Sequence, residues 1–407
     1  MTAPLLQASD LRAAASLATD AVVHAVDLVE AMHARIAGPL RLPGAAAPPA
    51  PDERAGGIAG LVYRSVRGVT HLVGGGTQRL FGLLAPVLAR PDTDGAPRAE
   101  REAVLAALNG VLGDHLAARG NALAIDMRWR RDGRALPLAR AALQAALPDA
   151  TPRVLVLVHG LCMNDLQWRQ AGHDHGETLA RRLGYTAVYL HYNSGLGIAT
   201  NGRQLAQCLD RLCEAWPVPI ERLAVLGHSM GGLVARSALH HAALVRGGGP
   251  GAGRQVDDLV CLGTPHLGAP LEKMGHGLAL LLGATHYAAP LARLGQLRSA
   301  GIRDLRHGNI LGPSPGDDAA PPGPTVPLPS GTRCHAIAAT LGPSATAPRS
   351  RLMGDGLVQV DSALGRHPDA RRRLHFSPER TLVVPNTGHL ALMSSPVVAE
   401  QLTQWLA

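Results

Sequence analysis

Aromatic residues make up only 3% of this 407-residue chain, so its core must be built from Ala, Leu and Val. Lysine is nearly absent: Lys273 stands alone, and the net charge of +8 rests on arginine. Those arginines are scattered apart from Arg128-Arg130-Arg131 and Arg371-Arg372-Arg373, and no basic stretch is interleaved with stacking aromatics, which argues against nucleic-acid binding. There are five cysteines (Cys162, Cys208, Cys213, Cys261, Cys334), with no C-x-x-C pair and no metal-ligand spacing. They read as reduced, mostly buried thiols of an intracellular protein, so a cytoplasmic location is expected and neither a metal nor another cofactor is. The opening residues MTAPLLQASDLRAAAS lack a basic start followed by an apolar block, so no signal peptide is expected. No apolar run reaches the ~20 uninterrupted residues that span a bilayer.

What is present is 46% apolar residue content in a length that suits one domain of ordinary size plus an appendage. Residues 1–150 have helical character. Within 16–36, Val22, Val26, Val29, Met32 and Ile36 recur at helical spacing, and further candidates fall at 56–76, 77–89 and 98–119. A Pro/Gly/Ala tract at 38–52 reads as a linker. From 151 onward, short apolar strands alternate with helices. Strands are expected at 153–158, 186–191, 223–228, 258–263, 333–339 and 381–385, with helices near 174–183, 201–215, 230–245 and 396–406. That alternation predicts an α/β fold with a doubly wound, mostly parallel sheet over 151–407, after a helical N-terminal region at 1–150. An insertion at 266–332 begins apolar and helix-like and ends rich in Pro and Gly, as a lid or cap would.

Chemistry enters at Val225–Gly232, VLGHSMGG, where an apolar strand runs into a small-residue helix. This is G-x-S-x-G in a strand–turn–helix context, the arrangement that lifts a serine hydroxyl clear of a sheet. Ser229 is thus the candidate nucleophile, and a nucleophilic serine needs a base oriented by a carboxylate. His389 follows the last predicted strand in the loop NTGHL, at the end of the sheet where such folds place sites. His375 and His367 are weaker candidates because they precede that strand. Asp355, flanked by Gly354 and Gly356, suits a tight turn that aims a carboxylate across the sheet, with Asp361 as its rival. Negative charge developing during acyl transfer needs backbone donors. Met230, next after the serine, and Leu161, in the His159-Gly160-Leu161-Cys162 loop after strand 153–158, are expected to supply them. Cys162 reads as a small buried thiol in preference to a second nucleophile. Asn193 and Arg203 read as satisfied polar structure. The His173/Asp174/His175 cluster lacks H-x-x-x-H spacing and falls at a helix start, which leaves it without a metal-binding reading.

The segments VLVHGL (156–161), GHSMGGLVAR (227–236), LGTPHLGAP (262–270), GDGLV (354–358) and NTGHLALMSSP (386–396) together resemble the α/β-hydrolase superfamily. Within it they look like the bacterial lipase/esterase branch related to GPI-inositol-deacylase-like lipases. The resemblance covers roughly 151–407 and implies Ser229 as nucleophile, Asp355 as acid, His389 as base and Leu161 and Met230 as oxyanion donors. The function it implies is hydrolysis of an acyl ester or lipid through an acyl-enzyme. An acyltransferase or thioesterase would use the same triad. A binding protein of membranes or granules, touching a lipid surface through its N-terminal helices or its lid, is the reading from another class.

Overall fold

A computed structural model describes residues 99–246, 255–269, 299–312, 326–344 and 346–407. The helices expected at 16–36, 56–76 and 77–89 and residues 313–325 of the Pro/Gly-rich end of the insertion lie outside these residues. Asp92–Ala407 forms one compact unit. Eight strands make one sheet: β1 (Arg128–Arg131), β2 (Arg134–Ala135), β3 (Arg153–Val158), β4 (Thr186–His191), β5 (Arg222–His228), β6 (Asp258–Leu262), β7 (Arg333–Ala339) and β8 (Thr381–Val384). Their spatial order is β2-β1-β4-β3-β5-β6-β7-β8. From β4 to β8 every pairing is parallel, with Val156 opposite Val188 on one side and Val225 on the other. The doubly wound α/β reading therefore holds.

The register explains the composition of the central strands. A parallel sheet carries helices on both faces, so its strands are continuously apolar instead of alternating. Within β3, RVLVLV, the residues from Val154 to Val158 are fully buried. Helices α1 (Ala99–Ala118), α2 (Arg140–Ala146), α3 (His175–Leu183), α4 (Ile198–Ala215), α5 (Met230–Arg246), α6 (Ala300–His307), α7 (Pro348–Met353), α8 (Val360–Ala363) and α9 (Pro396–Leu406) complete the described elements. Local chemistry sets their ends. Asp174 caps α3 by accepting the Glu177 N–H, and Gly184 closes it in the left-handed conformation. Ser395 caps α9 with Pro396 at its first position, as its sequence predicts. Among the described residues, no helix is long and apolar enough to cross a membrane.

Within the stretch that reads as helical, residues 128–131 and 134–135 form two strands. β1 runs antiparallel to β4, pairing Trp129 with Leu190. Its sequence, RWRR, hides a buried strand because Arg130 carries its charge inward. The guanidinium lies 2.5 Å from Glu102 on α1 and 3.3 Å from Asp165, which lets it occupy a position that sequence periodicity assigns to solvent.

Asp258, the first residue of β6, ties the N-terminal ends of three strands together. It is fully buried and accepts hydrogen bonds from Arg222 on β5 (3.0 and 3.1 Å) and from Arg333 (2.6 and 2.8 Å) and His335 (3.2 Å) on β7. Burial would raise its pKa, but the bonds from His335, Arg333 and Arg222 outweigh that and hold the carboxyl well below its ordinary value. A carboxyl depressed in the folded state stabilises above its unfolded pKa of ~3.9 and loses that contribution as pH falls. Asp258→Asn should therefore cost roughly 3 kcal/mol at pH 7, the low end for a broken buried ion pair, because the arginines can turn toward water. Urea midpoints at pH 7 and below pH 4 check this: the gap between wild type and variant should narrow in acid.

Candidate active site

β5 delivers His228 to the end of the sheet, and the chain reverses into α5 through Ser229, a non-glycine residue at φ +54°. This left-handed conformation is costly for a residue with a Cβ, and it persists because the surroundings leave no alternative. Ser229 donates its backbone N–H to Leu262 of β6 at 2.8 Å, and its carbonyl accepts the Gly232 N–H at 3.1 Å. A Cβ at Gly231 would overlap the Val158 carbonyl oxygen, and one at Gly227 would come within 2.6 Å of the Gly232 backbone. Both motif glycines are thus required by the approach of the turn to its own helix and to β3.

Asp355 and His389 meet at the same end of the sheet. His389 Nδ1 lies 2.7 Å from Asp355 Oδ2, and both side chains are buried. The His389 N–H also donates to the Asp355 carbonyl at 3.0 Å, which fixes the two backbones together. The other carboxylate oxygen accepts the N–H groups of Leu357 (2.9 Å) and Val358 (2.8 Å). The flanking Gly354 and Gly356 both have positive φ, so the turn read from sequence is present. A carboxylate at Nδ1 places the imidazole proton there and leaves Nε2 as the acceptor. Nε2 is buried without a hydrogen-bond partner among the described residues, so Ser229 Oγ does not bond it in this state. The rings of His389 and His228, the residue before the serine, are 4.8 Å apart. Contacts between a serine and its base are often loose until substrate arrives.

The loop after β3 closes the site from the other side. A Cβ on Gly160 would sit 3.1 Å from the Ser229 Cβ, so glycine permits that approach. The backbone N–H groups of Leu161 and Met230 bond to nothing among the described residues, although both side chains are buried. Cys162 does not share that freedom: its N–H donates to Ser194 Oγ at 3.0 Å, and its φ is +58°. Burial pushes its thiol pKa up to about 12, so it is no competing nucleophile. His228, held well below the ordinary histidine pKa by burial and then by His389, stays neutral. Burial likewise lowers His159 to about 3.

The rival candidates lie elsewhere. Asp361 pairs with Arg351, His375 is exposed, and His367 accepts the Asp369 N–H. Asn193 bridges Gly113 and Gly195, and Arg203 reaches Thr200. In the His173/Asp174/His175 group, Asp174 caps α3 and accepts the Tyr189 hydroxyl, while His175 contacts the Leu392 carbonyl and His173. Glu102, Asp165 and His191 cluster closely enough to hold a cation, but Arg130 already supplies the positive charge between the two carboxylates. Sequence reasoning missed Gly263. At φ +56°, its missing side chain leaves room for the dyad: a Cβ there would lie 3.2 Å from both Asp355 Oδ2 and His389 Cε1. The signal was available in LGTPHLG, whose glycine follows directly on a buried strand.

Residues 149–289 match a family model described as a PGAP1-like alpha/beta domain. That match takes in β3 to β6 and the Ser229 turn, and with the mostly parallel sheet it supports an α/β-hydrolase superfamily assignment. No curated protein matches it. Among solved structures it is similar to the mature form of Bacillus licheniformis lipase BlEst2, at 21% identity over 63% of this chain and 92% of that one, with a TM-score of 0.41. It is also similar to the metagenomic carboxyl esterase MGS0156, at 17% identity over 80% and 99%, TM-score 0.38. A third is the NocB thioesterase domain, at 17% over 64% and 97%, TM-score 0.37.

The strained turn has a measurable consequence for stability. Glycine adopts positive φ without steric cost, so Ser229→Gly should raise stability by about 1 kcal/mol, shifting Tm upward by ~2 °C. Differential scanning calorimetry reads it; a fall of several degrees would contradict the strain.

Proposed function

We propose that this protein is a serine hydrolase that cleaves carboxylic esters through an acyl-enzyme. The observation that carries the reading is the buried Asp355–His389 pair, its Nε2 unpartnered, at the sheet end that also holds the left-handed Ser229. In this mechanism Ser229 Oγ attacks the acyl carbonyl while His389 Nε2 takes the hydroxyl proton. Asp355 stabilises the resulting imidazolium and remains ionised. The carbonyl oxygen becomes an oxyanion within reach of the Leu161 and Met230 N–H groups, and each such donor typically contributes ~3 kcal/mol to the barrier. His389 then protonates the departing alkoxide, leaving the acyl group on Ser229. Water, deprotonated by the same nitrogen, releases the acid and restores the serine.

Supporting this reading over a binding protein on a hydrolase fold is the protected state of the parts. A module that had abandoned chemistry would have no use for a buried, half-satisfied histidine or a strained serine, each of which costs stability. Steady-state hydrolysis of p-nitrophenyl esters of graded chain length tests the proposal. Asp355→Asn keeps the shape but removes the charge, and should lower kcat by ~10³–10⁴-fold while leaving KM within a few-fold. Equal turnover by wild type and variant would refute the assignment.

A further inference from the structure

An open cleft of about 540 Å³ lies between the C-terminal end of α6, the loop at Leu267–Ala269 and the segment that follows α8. Its lining contains none of Ser229, Asp355 or His389, and its character is opposite to that of an acyl pocket. Arg306, His307, Arg366, His367 and Arg372 face it, joined by Gln359. One acid lines it, Asp361, and that carboxylate is already engaged by Arg351. Among the described residues, neither Arg306 nor Arg366 has an acidic partner.

The cleft is built into the fold. Ser362 on α8 donates its hydroxyl to the Gly268 carbonyl at 2.8 Å and accepts the Leu267 N–H at 3.2 Å, fastening the Leu267–Ala269 loop to α8. Gly268, at φ +87°, has no room for a Cβ because the Arg306 backbone occupies it. Arg306 and His307 could be explained as cations at a helix C-terminus, where the dipole favours them. Arg366 and Arg372 reach the same cleft from a different segment, beyond α8. His307 senses the same field: after burial, the charges of Arg306 and Arg372 hold it below its ordinary pKa. His367 accepts a backbone N–H at Nδ1 (3.0 Å), which leaves its Nε2 as the donor in the neutral ring.

Guanidinium groups arriving from two segments exceed what a single carboxylate needs and suit a group with three acceptor oxygens. The volume falls within the range of small-ligand sites. We propose that this cleft is a second binding site, separate from Ser229, that takes the phosphoryl group of a phosphate ester, either free in solution or as the headgroup of a lipid. Arg306, from the end of α6, and Arg366, from beyond α8, hold the phosphoryl oxygens, with the Gln359 amide and the His367 Nε2–H as further donors. The site stands on its own residues and does not depend on the reaction assigned to Ser229.

The test uses the full chain. Calorimetric titration with glycerol 3-phosphate reads the soluble source, and flotation with phosphatidylcholine vesicles, with and without phosphatidic acid, reads the lipid source. Binding to glycerol 3-phosphate identifies a soluble ester; binding only to the vesicles that contain phosphatidic acid identifies a headgroup. In either case Arg306→Ala and Arg366→Ala should each weaken it about tenfold, the loss of one charged hydrogen bond. Both side chains are exposed, so these variants fold, and unchanged melting curves check that. Ser229→Ala should bind as wild type does. No binding to either probe, unaltered binding in both arginine variants, or loss of binding in Ser229→Ala would overturn the proposal.

Discussion

The left-handed turn at Ser229 is the constraint on which the site is organised. One L-residue is held at φ +54° between a strand buried from Leu223 onward and a helix, and glycines at 227 and 231 let it approach β3 and its own helix. Every neighbouring element answers to that position. β6 supplies the Leu262 carbonyl that fixes the serine backbone, and Gly263 just beyond it leaves space for the Asp355–His389 pair. The loop after β3 brings Gly160 against the serine side chain from the other flank. The parallel sheet makes this convergence unavoidable, since the C-terminal ends of β3, β5, β6, β7 and β8 all open on one edge.

A second layer holds the first in place. α1 packs so closely behind the loop that follows β3 that a Cβ on Gly110 would overlap the Cys162 thiol, and one on Gly113 would overlap the Asn193 amide. Ser299, ahead of α6, donates to the Gly110 carbonyl at 2.7 Å, and Asp304 on α6 accepts the Ile198 N–H at 2.8 Å. The described part of the insertion is therefore joined to both α1 and α4. At the opposite end of the sheet, Asp258 performs the matching task by binding three strands through one carboxylate. Buried charge is placed where backbone packing alone would leave strand ends free to separate.

Much of this was readable before any coordinates. The six parallel strands announce themselves because strands covered on both faces become continuous apolar runs, as in RVLVLV. Asp355 could be chosen over Asp361 because glycines on either side signal positive φ, and the turn has it at both. His389 follows from its place after the last strand. β1 was not legible: three arginines in RWRR look solvated, and only the pairing of Arg130 with Glu102 and Asp165, 28 and 35 residues distant, explains its burial. The role of α1 was hidden for a related reason. Its glycines weaken its pattern as an isolated helix, and their use is to admit Cys162 and Asn193, contacts between positions far apart in sequence.

The central claim is that Ser229 is the activated nucleophile. The most direct measurement is reaction of the full chain with a fluorophosphonate, followed by tandem mass spectrometry of its peptides. One stoichiometric adduct on Ser229 is predicted, absent from Ser229→Ala and formed far more slowly in His389→Ala. An unlabelled but folded protein, or an adduct on another residue with Ser229 free, would contradict it.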